Sequence, residues 1–165
     1  MGVAPSAVAG HSFGELTALH AAGVWDEVSF LRAARRRGEL MAEAAASPGG
    51  MLAVSASIDA VREVLVATGT DVVVANHNAP DQVVVSGALE ALEPVEAAMA
   101  AAGLRCKRIP VATAFHSPVV AGGVEPFASF LGELEFSAPS IPVLSGESAD
   151  DYDDVRSSLL HEVLR

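Results

Sequence analysis

At 165 residues, half of them hydrophobic, the chain can bury the core of one domain, or of a domain with a small insertion. Its formal charge of −11 repels nucleic acid and anionic lipid at long range, and no uncharged apolar run approaches the roughly 18 residues of a membrane helix. The N-terminus lacks the basic-then-apolar layout of a signal peptide, and the single cysteine, Cys106, excludes an internal disulfide, so a cytoplasmic protein is expected.

Residues 6–10, "SAVAG", read as a short buried strand, and residues 14–22 as a helix stopped by Gly23. Asp26 is a good N-cap for a longer helix over 27–46. Val28, Leu31, Ala34, Met41 and Ala45 fall on one apolar stripe at about 100° per residue, which sets Arg36 opposite and Arg35 and Arg37 on the flanks. "SPGG" then breaks the helix. Next come a strand (51–56), a helix (58–68) capped by Ser57, and two Val-rich strands (71–76 and 82–87) joined by a "HNAPD" loop. A helix (88–103) with Pro94 in its first turn and a strand (105–111) follow. The order β-α-β-β-α-β is that of a ferredoxin-like unit. It is placed at 50–111, inserted into an α/β body made of 1–49 and 112–165. Beyond it lie a helix at about 121–134, a strand at 141–146, and an acidic loop feeding a helix at 150–165.

Basic residues are few but bunched, at Arg32, Arg35, Arg36 and Arg37, and again at Arg105, Lys107 and Arg108. They read either as solvated faces with paired charges or as local sites for an anionic ligand. Cys106 reads as a structural thiol in a strand, and no metal site is expected.

Gly10-His11-Ser12-Phe13-Gly14 matches G-x-S-x-G between a strand and a helix. A serine on such a sharp turn projects its Oγ into a cleft, and the flanking glycines remove side chains that would clash. The helix behind it points N–H groups at the site, which stabilises developing negative charge. The serine needs a base. Of five histidines, His20 and His161 lie inside helices and His77 in the hairpin loop; His116 follows a strand end, where α/β folds carry function.

"GHSFGE", "RRRGELM", "ANHNAPDQVVVSG" and "AFHSPVV", in this order and spacing, resemble the malonyl-CoA:acyl carrier protein transacylase family. More narrowly, they are similar to the acyltransferase domains of type I polyketide synthases, with "GHSFGELTAL" and "ANHNAP" leaning toward the iterative enediyne and polyunsaturated fatty acid kind. The resemblance implies a hydrolase-like α/β acyltransferase core with a ferredoxin-like insert. It implies that Ser12 takes the acyl group as an ester and that His116 is its general base, then the acid for the leaving thiol. Arg37 matches the arginine that binds the free malonyl carboxylate; a guanidinium forks onto a carboxylate as lysine cannot. The backbone N–H of Phe13 matches one oxyanion donor. Phe115, before the histidine, goes with malonyl, because a ring there leaves no room for an α-methyl. Phe13, His11 and Asn78 complete the implied substrate set; Asn76 and Asn78 read first as hairpin-turn residues. Malonyl-CoA would be the donor, a phosphopantetheine thiol on an acyl carrier protein the acceptor, and neighbouring synthase domains the other partners. No permanently bound cofactor is implied.

Two departures stand out. The family's N-terminal segment, with a glutamine that gives the other oxyanion donor, has no counterpart, so the chain reads as a fragment with an incomplete core. Glu162-Val163 stands where the family has a Gln-Leu pair, and the resemblance fades after about residue 146. Two other readings stay open. A serine hydrolase or thioesterase would want a third acidic member; Asp59, Asp71 and Asp81 precede His116 but sit in no motif, and Arg37 would be superfluous. A non-catalytic fragment that binds carrier protein or synthase domains would fold without ever acquiring an acyl group.

Overall fold

The computed structural model describes residues 4–146 apart from 45, 47 and 112. The elements expected beyond residue 146, His161 among them, lie outside the described residues. The chain divides into two compact units. One holds the residues up to Leu40 and those from Gly123 onward; the other holds Met41–Gly122.

In the first unit β1 (Val8–Ala9) leads into α1 (Phe13–Ala21), and α2 (Glu27–Ala44) starts here and runs on into the other unit. After a 3-10 turn (Pro118–Gly123) come α5 (Val124–Gly132) and β6 (Val143–Leu144). β1 and β6 pair in parallel, Val8 with Val143 and Ala9 with Leu144. Gly23 ends α1 as expected: at φ 83 it donates to His20 O, and Val24 donates to Leu19 O, which satisfies the last carbonyls of the helix. Asp26 caps α2, accepting the Ser29 N–H at 2.7 Å. The segment after α5 is stitched back onto this corner. Ser140 donates through both N–H and Oγ to Ala22 O, Ser137 N–H donates to Val24 O, and Phe136 meets the Trp25 ring edge-on. His20, inside α1 as expected, bonds Trp25 O at 2.9 Å and stacks on Phe30.

The second unit holds β2 (Gly49–Ser55), α3 (Ile58–Thr68), β3 (Val73–Ala79), β4 (Gln82–Ala88), α4 (Leu89–Ala101) and β5 (Arg105–Ile109). The four strands form an antiparallel sheet in the order β3-β4-β2-β5. Leu52 and Val54 on β2 and Val83 and Val85 on β4 pack with Val61 of α3 and Leu92, Val95 and Met99 of α4 into one buried cluster. The period-2 spacing of these valines puts them on one face, the face that α3 and α4 cover. Ser57 caps α3 as expected.

Two local readings are corrected. The hairpin loop is only Pro80-Asp81, because β3 runs on through His77 and Asn78 to Ala79. Polar residues in "NHN" suggested a loop, but strand pairing with β4 overrides that propensity, with register shifts between Val74 and Asn76 and between His77 and Ala79. Pro94 lies past the first turn of α4, inside the helix. Among the described residues no helix is long and apolar enough to cross a membrane.

Candidate active site

The G-x-S-x-G stretch forms the turn between β1 and α1. His11 O accepts from Gly14 N–H at 2.9 Å and Ser12 O accepts from Glu15 N–H at 3.1 Å, so the chain reverses within a few residues. A Cβ on Gly10 would overlap the Gly14 carbonyl and the Glu15 nitrogen, so this position takes only glycine. Gly14 differs: nothing stands within 4 Å of where its Cβ would be. The expectation that both glycines relieve clashes therefore holds for Gly10 alone. Ser12, at the apex, has φ 54 and ψ −115, a conformation that costs a non-glycine residue about 1–3 kcal/mol. Among the described residues one other non-glycine has positive φ, and it is His116, at φ 55.

Arg37 reaches this elbow. Its Nη2 donates to Ser12 Oγ at 2.9 Å, and its guanidinium lies 5.9 Å from the centre of the Phe13 ring. The other two arginines of the run turn away to Glu39, Arg35 at 2.8 Å and Arg36 at 3.6 Å. The helical pattern needs correcting here. Val28 and Leu31, counted as core, are 65% and 55% exposed, and Arg35 is more exposed than Arg36. The sheltered side of α2 runs through Phe30, Ala33, Arg37, Leu40 and Ala44, at spacings of three and four. Arg37 sits in the middle of that stripe, where a search for apolar residues passes over it. Burial pulls the Arg37 guanidinium below its ordinary range and the Glu15 carboxylate opposes the shift; it stays cationic at neutral pH.

Phe13 is 43% exposed and packs against Phe30 at 6.4 Å. His11 is exposed. Glu15 closes the "GHSFGE" motif but was given no role from the sequence; it is buried and accepts the Gly146 N–H at 2.9 Å. Its spacing from Ala18, Leu19 and Ala22, all buried, is the sequence signal that places it inward.

Phe115 and His116 belong to the second unit. Ser117 is buried and ties their turn: its Oγ donates to Ala114 O at 2.7 Å and accepts from Val119 N–H at 3.3 Å. A Cβ on Gly49 would stand 2.6 Å from Ala114 N, so the start of β2 lies directly against this turn. Phe115 and His116 are half-buried. Asn76 is half-buried on β3 and Asn78 is exposed within the second register shift, where a strand re-aims its side chains. Cys106 is a half-buried thiol on β5, pushed up by burial and by the Glu96 charge, which disfavours the thiolate. Arg108 is paired with Glu96 at 2.7 Å.

A serine in a strained turn between strand and helix is the arrangement of α/β proteins that expose a nucleophilic serine; here Arg37 also donates to its hydroxyl. The chain belongs to the acyl transferase domain family, which matches residues 1–162 and so extends past residue 146, where the motifs run out. It is similar to non-reducing polyketide synthase 1 of Elsinoe fawcettii, with 37% identity over 93% of this chain and 7% of the synthase. It is 39% identical to the malonyl CoA-acyl carrier protein transacylase of Synechocystis over 87% of this chain and 48% of the transacylase. Among solved structures, the acyltransferase domain of the iterative polyketide synthase in enediyne biosynthesis superposes with a TM-score of 0.89. That match has 37% identity and covers 98% of this chain and 43% of the other. The chain thus spans about half the length of the transacylase and a small part of the synthase.

Proposed function

We propose that the chain is the serine-bearing part of an acyltransferase that moves a malonyl group from malonyl-CoA, through an ester on Ser12, to the phosphopantetheine thiol of an acyl carrier protein, in polyketide or fatty acid biosynthesis. The observation that carries this reading is the hydrogen bond from Arg37 to Ser12 Oγ. The free carboxylate of a malonyl thioester is one methylene from the carbonyl under attack. A guanidinium beside the attacking oxygen is therefore within reach of it, and can grip it with two parallel hydrogen bonds. A hydrolase of neutral esters has no use for that cation.

In the reaction, Ser12 Oγ attacks the thioester carbonyl while His116 takes its proton. The negative charge passes to the carbonyl oxygen, where the Phe13 N–H receives it. As the first amide of α1, that group has no acceptor within the helix. The tetrahedral intermediate collapses with loss of the CoA sulfur, which leaves as a thiol with the proton from His116. The pantetheine thiol then attacks the ester, His116 takes its proton, and the same proton returns to Ser12 Oγ. Phe115 narrows the pocket against an α-methyl, worth about 1–3 kcal/mol of preference. His11, Phe13 and Asn78 complete the substrate-binding set. In fold terms we assign residues 1–49 and 112–165 to a hydrolase-like acyltransferase core and 50–111 to a ferredoxin-like subdomain; the antiparallel order β3-β4-β2-β5 supports the second assignment.

The test is to incubate the purified chain with malonyl-CoA and weigh it intact, beside Ser12→Ala and Arg37→Ala. An adduct that disappears in Ser12→Ala and weakens in Arg37→Ala is expected. A folded chain that acquires no malonyl group would refute the catalytic reading and leave a binding role.

A further inference from the structure

Glu15 is the only charged side chain among the described residues that is buried, at 4% exposed. A carboxylate out of water is costly unless hydrogen bonds and a counter-charge compensate it. It has both kinds of support. The Gly146 N–H, just beyond β6, donates to it at 2.9 Å, and a Cβ on Gly146 would stand 2.8 Å from Glu15 Oε1, so the carboxylate is wedged against backbone. Its backbone belongs to the elbow, since Glu15 N–H donates to Ser12 O. Arg37, bonded to the Oγ of the same Ser12, is the cation whose charge it sustains against burial.

We propose that Glu15 is a positioning residue that fixes the Arg37 guanidinium beside Ser12 and so sets the preference for acyl groups carrying a free carboxylate. Arg37 is then held by the Ser12 hydroxyl and the Phe13 ring, with the Glu15 carboxylate sustaining its charge. This rests on the assignment of Ser12 and Arg37 above. Glu15 touches neither substrate nor reacting atoms; it acts through Arg37.

The experiment compares acylation of Ser12 by malonyl-CoA and by acetyl-CoA, the same thioester without the carboxylate, in wild type and Glu15→Gln. Glutamine keeps an oxygen for the Gly146 N–H and removes the charge. Malonyl transfer is expected to fall about tenfold through a higher KM, with acetyl transfer and melting temperature nearly unchanged. A second readout needs no catalysis: Arg37→Ala strands the Glu15 charge and lowers the melting temperature, and adding Glu15→Gln restores it. Equal falls in malonyl and acetyl transfer, unchanged malonyl transfer, or a double variant no more stable than Arg37→Ala would each overturn the proposal. A wild-type chain that takes malonyl no faster than acetyl would overturn the assignment of Arg37 on which it rests.

Discussion

The two glycines of the elbow, equivalent in the motif, are expected to respond in opposite directions to the same methyl group. In Gly10→Ala the new Cβ meets only backbone, the Gly14 carbonyl and the Glu15 nitrogen, and neither can rotate aside. The turn that places Ser12 must open, so the cost sits at the upper end of overpacking, about 3 kcal/mol. In Gly14→Ala the Cβ enters open space in the first turn of α1, where alanine is the better helix former. A gain of about 0.4–1 kcal/mol is expected, from lost freedom in the unfolded chain. At this chain length each kcal/mol moves the melting temperature by roughly 2–4 °C. Thermal unfolding should therefore show Gly10→Ala about 6–12 °C below wild type and Gly14→Ala about 1–4 °C above it. Equal destabilisation by both, or a neutral Gly10→Ala, would refute the steric description of the elbow.

Arg37→Lys keeps the charge but loses the fork, and acylation by malonyl-CoA should fall roughly ten- to a hundredfold, from the worth of hydrogen bonds to a charged group. Phe115→Ser removes the ring, and the rate with methylmalonyl-CoA relative to malonyl-CoA should rise by about ten- to a hundredfold in a competition assay. The Ser29 N–H holds the Asp26 carboxyl below the usual carboxylate range, so its cap stabilises α2 above the ordinary aspartate pKa and fades as pH falls through the lower folded value. Asp26→Ala should accordingly lower stability in urea unfolding at neutral pH, and the difference from wild type should shrink in acid.

What the sequence made legible was what short-range chemistry controls. Asp26 and Ser57 marked their caps, Gly23 its helix stop, and the helix over 58–68 has the bounds observed for α3. The serine elbow was legible because a tight reversal leaves a fixed residue pattern. Less legible were features set by partners distant in the chain. β3 continues through His77 and Asn78 because β4 pairs with it, which no local propensity reveals. The inward stripe of α2 contains Arg37, so counting apolar residues selected Val28 and Leu31 instead, both exposed. Glu15 was hidden for the same reason, since a buried carboxylate breaks the rule that charged positions face water. The two charges that the apolar pattern passed over, Arg37 and Glu15, both lie at the elbow beside Ser12. Local rules fail there because the site holds charge where packing alone would place a hydrocarbon.

The most direct test is to locate the acyl group. After exposure to malonyl-CoA the chain would be digested and the modified residue identified, then an intact sample would be treated with a pantetheine thiol. A malonyl ester on Ser12 that discharges to the thiol is the expected result. A group found on Cys106 or a surface lysine, or an ester on Ser12 that the thiol cannot collect, would contradict acyl transfer through the elbow serine.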